Sequence, residues 1–578
     1  MKSVRKALFV FTSVSVLSSC MLGLDIFDDH QKATSSDLSD VQYANFYSYR
    51  VSGTDYLTNK IVSNFPYRKI GDIPFIQMEH ALGMFLKDDL RLSIQNNVYT
   101  YVLSNNLSYT VTVAVDASEG KITISDYDRY CSLIAGSEKT GNISTLAGMD
   151  SYVTYGQNET YVYEEGGPLV LDLASYDLDV IAYGKTVYIP FAVASEVFFE
   201  PNGICFAYNG DDFYYPYSKA LYKEDKTMSS YGKAFYGGSL SRKRKTSAFA
   251  VFNYNALCFS LDYFYGFRDK GFAPIDTYLK QHNSSVRTRL RSTDETSYQD
   301  GIDALLDGYL GDGHTGVYGY SGVYGDGQFE TAAYSSRSYH LSQTGHTLAS
   351  LRKNRLGESF SPVRFHNKTA FITFDSFDSA YKSFTKANVR NYVDHDTFAF
   401  LYEAFETIDN ASGIENVVFD LSLNGGGAVD GLIASLGFLT NSVNINTYDP
   451  ATKSKTRLYY SVDTNLDGAI NENDVKPYRF YVLTSNFTFS SANLFATVCK
   501  TQGVATILGE KSGGGACVVR SSCTADGLPF QMSGNTRLSI VDSLGAWSDN
   551  DGGIAADHYL NRSYYYNDSG LAQYVESL

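Results

Sequence analysis

Basic residues are scarce in this chain of 578 residues. Lys and Arg number 47 against 63 Asp and Glu, which gives a formal charge of -16 and a pI near 5.0. Nucleic-acid phosphates attract clustered Lys and Arg, so this balance argues against a nucleic-acid partner. The one compact basic run, "RKRK" at 242–245, is typical of a solvated loop.

Long apolar runs are also lacking: after the N-terminus no stretch of about 20 apolar residues could span a bilayer. The first residues, "MKSVRKALFVFTSVSVLSSC", place basic residues before a short apolar run and small residues before Cys20, which predicts a secretory signal at 1–20. The ending "LSSC" resembles the lipobox of bacterial lipoproteins. That resemblance implies a lipid on Cys20, a tether at 21–65, and an exported protein anchored to the cell membrane and facing outside. The alternative is a plain signal peptide with an incidental cysteine.

Zinc-type cysteine pairs are absent, because the sequence contains no CxxC motif and no Cys/His cluster. Export permits disulfides, and Cys517 and Cys523 are close enough in sequence to bridge a hairpin. Spacing alone does not assign the pairs among the six cysteines that follow the signal, which are Cys131, Cys205, Cys258, Cys499, Cys517 and Cys523.

Tyr, Phe and Gly are abundant, and the length predicts two or three domains. Within 66–220 the chain repeats an Ile-Pro-Phe before a short amphipathic helix, in "DIPFIQMEHALGMF" (72–85) and "VYIPFAVASEVFFEPNGICFAYNGDDFYYP" (187–216). Two related α+β units would explain this repeat. The second copy resembles copper amine oxidase N-terminal-like repeats, which implies a binding or scaffolding module. We find no metal ligands in it.

Two further regions follow the repeat. Apolar residues at helical spacing predict a small helical region within 250–345. From 360 to 578, short apolar strands such as "TAFITFDSF", "NVVFDLS", "RFYVLTS" and "VATILGE" alternate with helices, which predicts an α/β core with helices packed on a sheet. Functional groups in such cores collect at strand ends.

Two adjacent serines stand at such an end, in "TSNFTFSSANLFA" (484–496). A serine at a strand-to-helix junction is either a helix cap or a nucleophile. A nucleophile at Ser490 would have the Ser491 backbone amide beside it as an oxyanion donor, aided by the helix N-terminus. Three glycines at 425–427 also lie between a strand and a helix, where they form either a tight turn or a loop that points amides at a ligand.

"FDLSLNGGG", "VLTSNFTFSSANLFA" and "ILGEKSGGG", in this order, resemble motifs of the C-terminal processing or tail-specific serine peptidases. Upstream, "LLDGYLGDGHTGVY" (305–318) resembles the Asp-x-His-Thr element of the branch with the tricorn core and retinoid-binding-protein-like domains. The resemblance covers roughly 250–565. It implies a crotonase/ClpP-like α/β peptidase core, with Ser490 as nucleophile, His314 as general base, and Gly426 or Gly427 with the Ser491 amide as the oxyanion hole.

The chain also departs from the family pattern. The place of the lysine base in the processing-peptidase branch holds Gly515, and Lys511 comes four residues early, so the lysine mechanism is not supported. Asn493 replaces a usual Glu. The segment "DNDGGIAAD" (549–557) resembles an element that carries a supporting acid, but Asn550 stands at the nominal Glu place. Asp549 or Asp551 would have to substitute.

A calcium loop is predicted inside the core, at "DTNLDGAINEND" (463–474). Oxygen-bearing side chains occupy positions 1, 3, 5, 9 and 12, with Gly at position 6, which is the spacing that Ca²⁺ requires. It resembles the dockerin-type EF-hand variant. The predicted ligands are Asp463, Asn465, Asp467, the Ala469 carbonyl, Asn471 and Asp474.

Together these features predict a surface-anchored serine endopeptidase that cleaves extended peptides or protein tails by acyl-enzyme chemistry. Catalysis would need no cofactor, and Ca²⁺ would be structural. Two alternatives stay open: a catalytically inactive peptidase-like lipoprotein that binds peptides or small ligands, and a calcium-dependent adhesion protein.

Overall fold

The computed structural model describes residues 31–86, 90–104, 109–135, 153–155, 161–271, 274–317, 321–325, 336–380, 382–542 and 544–578. The predicted signal segment and Cys20 lie outside these residues. In the described part of the chain, no helix is both long and apolar enough to cross a membrane.

The N-terminal module consists of strands with a few short helices. Its strands are β1 (Gln42–Ser52), β2 (Asp55–Ile70), β3 (Ile73–Gln77), β4 (Leu90–Gln95), β5 (Val98–Ser104), β6 (Thr110–Asp116), β7 (Lys121–Ile124), β8 (Val153–Tyr155), β9 (Tyr161–Glu164), β10 (Leu169–Asp172), β11 (Ile181–Tyr183), β12 (Thr186–Pro190), β13 (Ala207–Tyr208) and β14 (Phe213–Tyr214). Its helices are α1 (Met78–Gly83), α2 (Tyr127–Ala135), α3 (Phe191–Ala194), α4 (Ser218–Leu221) and α5 (Ser230–Phe235).

Most of these strands form two sheets, with orders β11-β12-β3-β2-β1-β14-β13 and β10-β7-β6-β5-β4. The two Ile-Pro-Phe segments are strands β3 and β12, which pair antiparallel with Ile189 opposite Ile76, and each leads into a helix. The predicted tether at 21–65 is wrong over most of its length, because β1 and β2 form a long hairpin inside the first sheet. Phe46 and Phe65 bury their rings against each other there, which anchors the hairpin.

Helices occupy the middle of the chain: α6 (Ser247–Phe264), α7 (Ile275–His282), α8 (Ser284–Leu290), α9 (Glu295–Ala304) and α10 (Ser336–Leu356). A short strand, β15 (Gly316–Val317), lies between α9 and α10. The basic run before α6 is not wholly solvated as predicted. Lys245 is buried and pairs with Asp526 at 2.5 Å and with Glu295 at 2.8 Å. Two carboxylates compensate the buried ammonium, which a count of charges along the chain does not reveal.

The C-terminal part contains strands β16 (Val363–His366), β17 (Thr369–Thr373), β18 (Asn416–Asp420), β19 (Val443–Tyr448), β20 (Lys455–Val462), β21 (Arg479–Thr484), β22 (Thr506–Gly509), β23 (Cys517–Cys523), β24 (Pro529–Val541), β25 (Trp547–Asp549) and β26 (His558–Tyr559). Its helices are α11 (Thr397–Asp409), α12 (Val429–Leu436), α13 (Ser491–Gln502) and α14 (Asp568–Glu576).

A six-stranded sheet, ordered β16-β17-β18-β21-β22-β26, forms the centre of this part. Its pairs from β17 to β26 are parallel, and β17 and β18 are buried along their whole length. Alternate strand residues pack on opposite faces: Phe419 lies with α11, α12 and α13, and Val418 lies with α10 and α14. This is the α/β core that the alternating pattern predicts.

A second sheet joins the two halves of the chain, ordered β15-β24-β19-β20-β8, with β23 and β25 paired to β24 and β9 to β20. The hairpin disulfide between Cys517 and Cys523 is excluded, because these residues are the two ends of β23. A strand rises about 3.3 Å per residue, so their separation far exceeds what a disulfide spans.

Candidate active site

Ser490 lies between the end of β21 and the first residue of α13. Its backbone angles are φ 54° and ψ -123°, a conformation that residues with a Cβ rarely adopt. The side chain does not cap the helix, while the backbone amide donates to the Gly514 carbonyl at 2.8 Å. The hydroxyl is therefore not used as a cap, and the strained backbone is typical of a functional position.

The glycine loop after β18 packs directly against this serine. A Cβ on Gly426 would lie 2.7 Å from the Ser490 Cβ and 2.9 Å from the Phe489 carbonyl oxygen, so only glycine fits. The Ser491 hydroxyl donates to the Gly427 carbonyl at 2.7 Å, which links the loop to α13. The structure thus brings together the Gly-rich loop and the serine pair.

The two candidate loop donors differ in availability. The Gly426 amide donates to the Asn424 side-chain oxygen at 2.9 Å and is therefore already used. Gly427 pairs with Phe377 through a parallel bridge in which the Gly426 carbonyl and the Ala428 amide make the hydrogen bonds. The Gly427 amide is not used in that bridge, so Gly427 is the better candidate for an oxyanion donor.

His314 belongs to a buried loop that Asp312 organises. One Asp312 oxygen accepts the amides of His314 at 2.8 Å and Thr315 at 3.0 Å, and Gln531 donates to the His314 carbonyl at 2.7 Å. Within the described part of the chain the His314 Nε2 is buried and has no hydrogen-bond partner. Burial lowers the pKa of His314, and Arg337 adds to this effect while Asp312 and Asp551 oppose it.

Phe489 connects the histidine to the serine. Its ring centroid lies 4.8 Å from that of His314, and the next residue is Ser490. The glycine loop at 513–515 also touches both residues: Gly514 accepts the Ser490 amide, and a Cβ on Gly515 would lie 3.1 Å from the His314 Cε1. Residues far apart in sequence therefore meet around Phe489, without a hydrogen bond between the Ser490 hydroxyl and the imidazole.

The two candidate acids have different surroundings. Asp549 pairs with Lys270 at 2.6 Å and lies 3.8 Å from Arg537. Asp551 pairs with Arg337 at 3.0 Å, and its backbone carbonyl accepts the amide of Gly515, the residue that packs against the His314 ring. The structure therefore connects Asp551 to the residues around the histidine, whereas Asp549 pairs with Lys270.

The positions that depart from the family pattern form a buried polar network. Asn493 accepts from the Ser512 hydroxyl at 2.7 Å and donates to the Asn550 carbonyl at 3.2 Å. The Asn550 side chain donates to Thr497 at 2.9 Å. Neutral amides thus replace the expected carboxylates while keeping hydrogen bonds between α13 and the loop at 549–557. Lys511 is exposed.

Arg337 is a site residue that sequence reasoning missed. From α10 its guanidinium donates to the Gly513 carbonyl at 2.9 Å, pairs with Asp551, and lies 5.7 Å from the centroid of the Phe489 ring. Its place in the sequence, after a Gly/Ser/Tyr-rich stretch, carries no motif. Only its arginine type, suited to several simultaneous hydrogen bonds, could have signalled a role.

A cavity of about 680 Å³ adjoins the histidine. It lies where β17, β18 and β21 end, and α10 and the loop at 313–317 form its other walls. The residues that line it include His314, Tyr339, His346, Asp375, Leu423, Phe487 and Gln531. This is the edge where ligands bind in open α/β sheets, and its size suits a few residues of a peptide.

The predicted calcium loop folds as a tight turn just before β21. Its acidic side chains accept backbone amides of the loop: Asp463 accepts from Gly468 at 2.8 Å, and Asp474 accepts from Asn471 at 2.8 Å. Gly468 has φ 86°, as the sharp turn requires. Across the described residues no group of three or more His, Cys, Asp or Glu side chains is arranged to hold a metal. The oxygen donors nevertheless suit Ca²⁺ chemically, because several of the proposed ligands are amide or carbonyl oxygens.

Residues 368–557 match the model of Peptidase family S41. This stretch contains Ser490, the glycine loop and Asp551, while His314 lies upstream of it. No curated protein matches the sequence.

Solved structures align with a little over half of the chain. A candidate peptidase from Parabacteroides merdae is 15% identical over 56% of this chain and 95% of its own, with a TM-score of 0.41. A lipoprotein from Streptococcus agalactiae is 15% identical over 57% and 96%, with a TM-score of 0.34. The photosystem II D1 C-terminal processing protease is 16% identical over 55% and 93%, also with a TM-score of 0.34.

Proposed function

We propose that the chain is an endopeptidase that cleaves extended peptides or protein tails through an acyl-enzyme, since residues 368–557 match the model of Peptidase family S41, a family of serine peptidases. The observation that carries the proposal is the meeting of Ser490, the glycine loop at 425–427 and His314 around Phe489. A nucleophile, an oxyanion donor and a base are the parts that acyl transfer needs.

The chemistry follows from these positions. The Ser490 hydroxyl attacks the scissile carbonyl while the His314 imidazole removes its proton. The amides of Gly427 and Ser491 stabilise the oxyanion, helped by the N-terminus of α13. The imidazolium then gives its proton to the leaving amine, and a water attacks the acyl-serine by the same route.

The neutral imidazole is the form that this mechanism requires. Burial favours it, since it lowers the pKa of His314. Asp551 supports the imidazolium that forms during each step, and Arg337 holds Asp551 and the Gly513 carbonyl in place. The hydrogen bond from the Ser490 hydroxyl to the His314 imidazole forms when substrate binds, since catalytic hydrogen bonds are often long or missing in unliganded enzymes.

Peptide substrates suit the cavity beside His314. Its walls combine apolar side chains such as Leu423 and Phe487 with polar groups such as Gln531. It lies at the ends of β17, β18 and β21, so a peptide bound in it would lie next to the histidine loop.

Two observations favour a second candidate, a peptidase-like protein that binds peptides without cleaving them. Asn493 and Asn550 stand where the family pattern has Glu, and the unliganded site has no hydrogen bond between Ser490 and His314. In this alternative the cavity retains a ligand and no covalent intermediate forms.

Hydrolysis of a fluorogenic unstructured peptide by the purified chain separates the two candidates. We expect turnover that falls at least 10³-fold in Ser490→Ala and in His314→Gln, with unchanged thermal unfolding. Lys511→Ala is the matched control, because this exposed lysine would be essential only in a lysine mechanism. Peptide binding without turnover in the wild type, measured by fluorescence anisotropy, would support the binding protein instead.

Anchoring and calcium are further parts of the proposal. The N-terminal pattern ending in "LSSC" supports export and lipidation at Cys20. Incorporation of a labelled fatty acid into the wild type, and not into Cys20→Ala, tests this. Ca²⁺ bound by the loop at 463–474 would brace the turn that leads into β21, and so the strand that ends at the Ser490 segment.

A further inference from the structure

Two cysteines distant in sequence lie side by side where the N-terminal module packs on the C-terminal part. Cys205 follows α3 and precedes β13, and Cys523 ends β23. The Cys205 Sγ donates to the Ser521 carbonyl at 3.4 Å, and the Cys523 Sγ donates to the Phe206 carbonyl at 3.7 Å. Each thiol therefore reaches the backbone of the other's segment.

The electrostatics of the two thiols agree with this proximity. Burial raises the pKa of Cys205, and the neighbouring Cys523 adds to this effect. Burial raises the pKa of Tyr215, and both thiols add to this effect, so both lie near this one side chain. Cys205 is buried and Cys523 is partly exposed, so an oxidant reaches the pair from the Cys523 side.

Cys517 has a different neighbourhood. It stands at the other end of β23, where a Cβ on Gly266 would lie 2.6 Å from its Sγ. The direction of β23 therefore gives Cys523 a partner in the N-terminal module and separates it from Cys517.

We infer that Cys205 and Cys523 form a disulfide that covalently joins the N-terminal module to the peptidase part. In this reaction each thiol loses one hydrogen and one S–S bond forms. The two electrons and two protons reduce a disulfide oxidant, either a thiol–disulfide oxidoreductase or glutathione disulfide, to two thiols. Export, as proposed above, supplies the oxidising compartment.

The bond would secure a contact that the peptidase site depends on. Arg520 and Ser522, both on β23, bind Glu196 of the N-terminal module. β23 pairs with β24, whose Gln531 holds the His314 carbonyl. A cross-link at Cys523 therefore fixes the module against the strand pair that supports the histidine loop.

Peptide mapping of the full chain tests the inference and is independent of peptidase activity. The folded protein is incubated with glutathione disulfide, blocked with N-ethylmaleimide in denaturant, digested, and analysed without reductant. We expect a linked pair of peptides carrying Cys205 and Cys523, lighter by two hydrogens than the separate peptides, which disappears after reduction. Cys131, Cys258, Cys499 and Cys517 should carry the maleimide.

Variants add a second measurement. Dithiothreitol should lower the unfolding temperature of the oxidised wild type and of the control Cys258→Ser, and should leave Cys205→Ser and Cys523→Ser unchanged. Complete maleimide labelling of both cysteines in the oxidised wild type would overturn the inference, as would a link between Cys523 and Cys517. The peptide map of the wild type decides the question even if a serine variant fails to fold.

Discussion

Single residues determine whether the site around Ser490 can work. The positive φ of Ser490 costs about 1–3 kcal/mol in a non-glycine residue, and the surrounding contacts maintain it. That conformation directs the start of α13 toward the glycine loop, and Gly426 leaves the space that the serine occupies. The backbone conformation of Ser490 therefore holds this residue against the glycine loop, where the proposed mechanism needs it.

Gly426→Ala should inactivate the enzyme without unfolding it. The new Cβ would collide with the Ser490 Cβ, so the loop must shift and misplace the Gly427 amide. Loss of one oxyanion donor lowers kcat on the order of 10²-fold or more. Peptide hydrolysis and circular dichroism measure the two effects.

Gly413→Ala is the control for Gly426→Ala. Gly413 also has a positive φ, 81°, but an added Cβ meets nothing within 4 Å. It should cost about 1 kcal/mol in unfolding free energy and leave hydrolysis intact. Equal activities of the two variants would contradict the assigned role of the loop.

In the proposed mechanism, His314 sets the acidic limit of activity. Because its pKa in the folded protein is lowered, the imidazole stays neutral somewhat below the ordinary value of 6.5. The acidic limb of kcat/KM should therefore lie below pH 6.5. Between the lowered pKa and 6.5 the unfolded chain binds more protons at this group, so its contribution to stability falls as the pH falls.

The variant Arg337→Gln tests the origin of this limb. Arg337 lowers the pKa of His314, so its removal should move the acidic limb to higher pH. A pH profile of kcat/KM for wild type and variant measures the shift. An unchanged limb would show that another group controls it.

At the scale of structural elements, Ca²⁺ should stabilise the loop at 463–474, which lies before β21. Its carboxylates fold it by accepting backbone amides, and Ca²⁺ would add bonds to the same oxygens. The loop lies between β20 and β21, and β21 leads to Ser490. An ion bound here would therefore stabilise the segment that presents the nucleophile.

Ca²⁺ should raise the unfolding temperature, and EDTA should reverse this. At a Ca²⁺ concentration 100 times Kd the gain is about 2.7 kcal/mol in unfolding free energy. Asp467→Ala should abolish the gain, whereas Glu472→Ala, an exposed acid in the same segment and not a proposed ligand, should keep it. Thermal unfolding with Ca²⁺ or Mg²⁺ measures this, and an equal gain with Asp467→Ala would exclude the proposed site.

At the scale of the whole molecule, buried charges connect the N-terminal module to the peptidase part. Arg520 of β23 pairs with Glu196 at 3.0 Å and with Glu200 at 2.5 Å, and all three are buried. Burial raises the pKa of Glu200 to about 7, although Arg520 opposes this. Between its ordinary value of 4.5 and 7 the folded state binds more protons at Glu200, so its contribution to stability decreases as the pH rises.

Arg520→Met should destabilise the protein by about 3–5 kcal/mol, because it removes the positive charge that compensates two buried carboxylates. The loss should be larger at pH 8 than at pH 5, where Glu200 is protonated. Urea unfolding at the two pH values measures it. Arg457→Met is the control, since Arg457 forms a partly exposed 4.0 Å pair with Glu164 and lies over the Trp547 ring, contacts whose loss should cost under about 1 kcal/mol.

The sequence alone determined the class of the core and much of its candidate site. Buried strands such as 416–420 contain short apolar runs, here 417–419, and the turns after them carry Gly and Ser, so both the α/β alternation and the motif order are visible without coordinates. Ser490, His314 and the glycine loop were identified in this way. Each belongs to a short motif whose chemistry depends on its immediate neighbours.

Only the tertiary structure decided which distant groups meet. It showed that 42–65 belongs to a hairpin and not to a tether, and that Asp551 pairs with Arg337 next to the glycine loop that touches His314. It also showed that the Gly426 amide is already bonded and that Cys523 lies near Cys205. Arg337 joined the site through α10 without any sequence motif. The physical reason is that local periodicity and turn chemistry act between near neighbours in the chain, whereas strand pairing, ion pairs and thiol contacts depend on how separate segments pack.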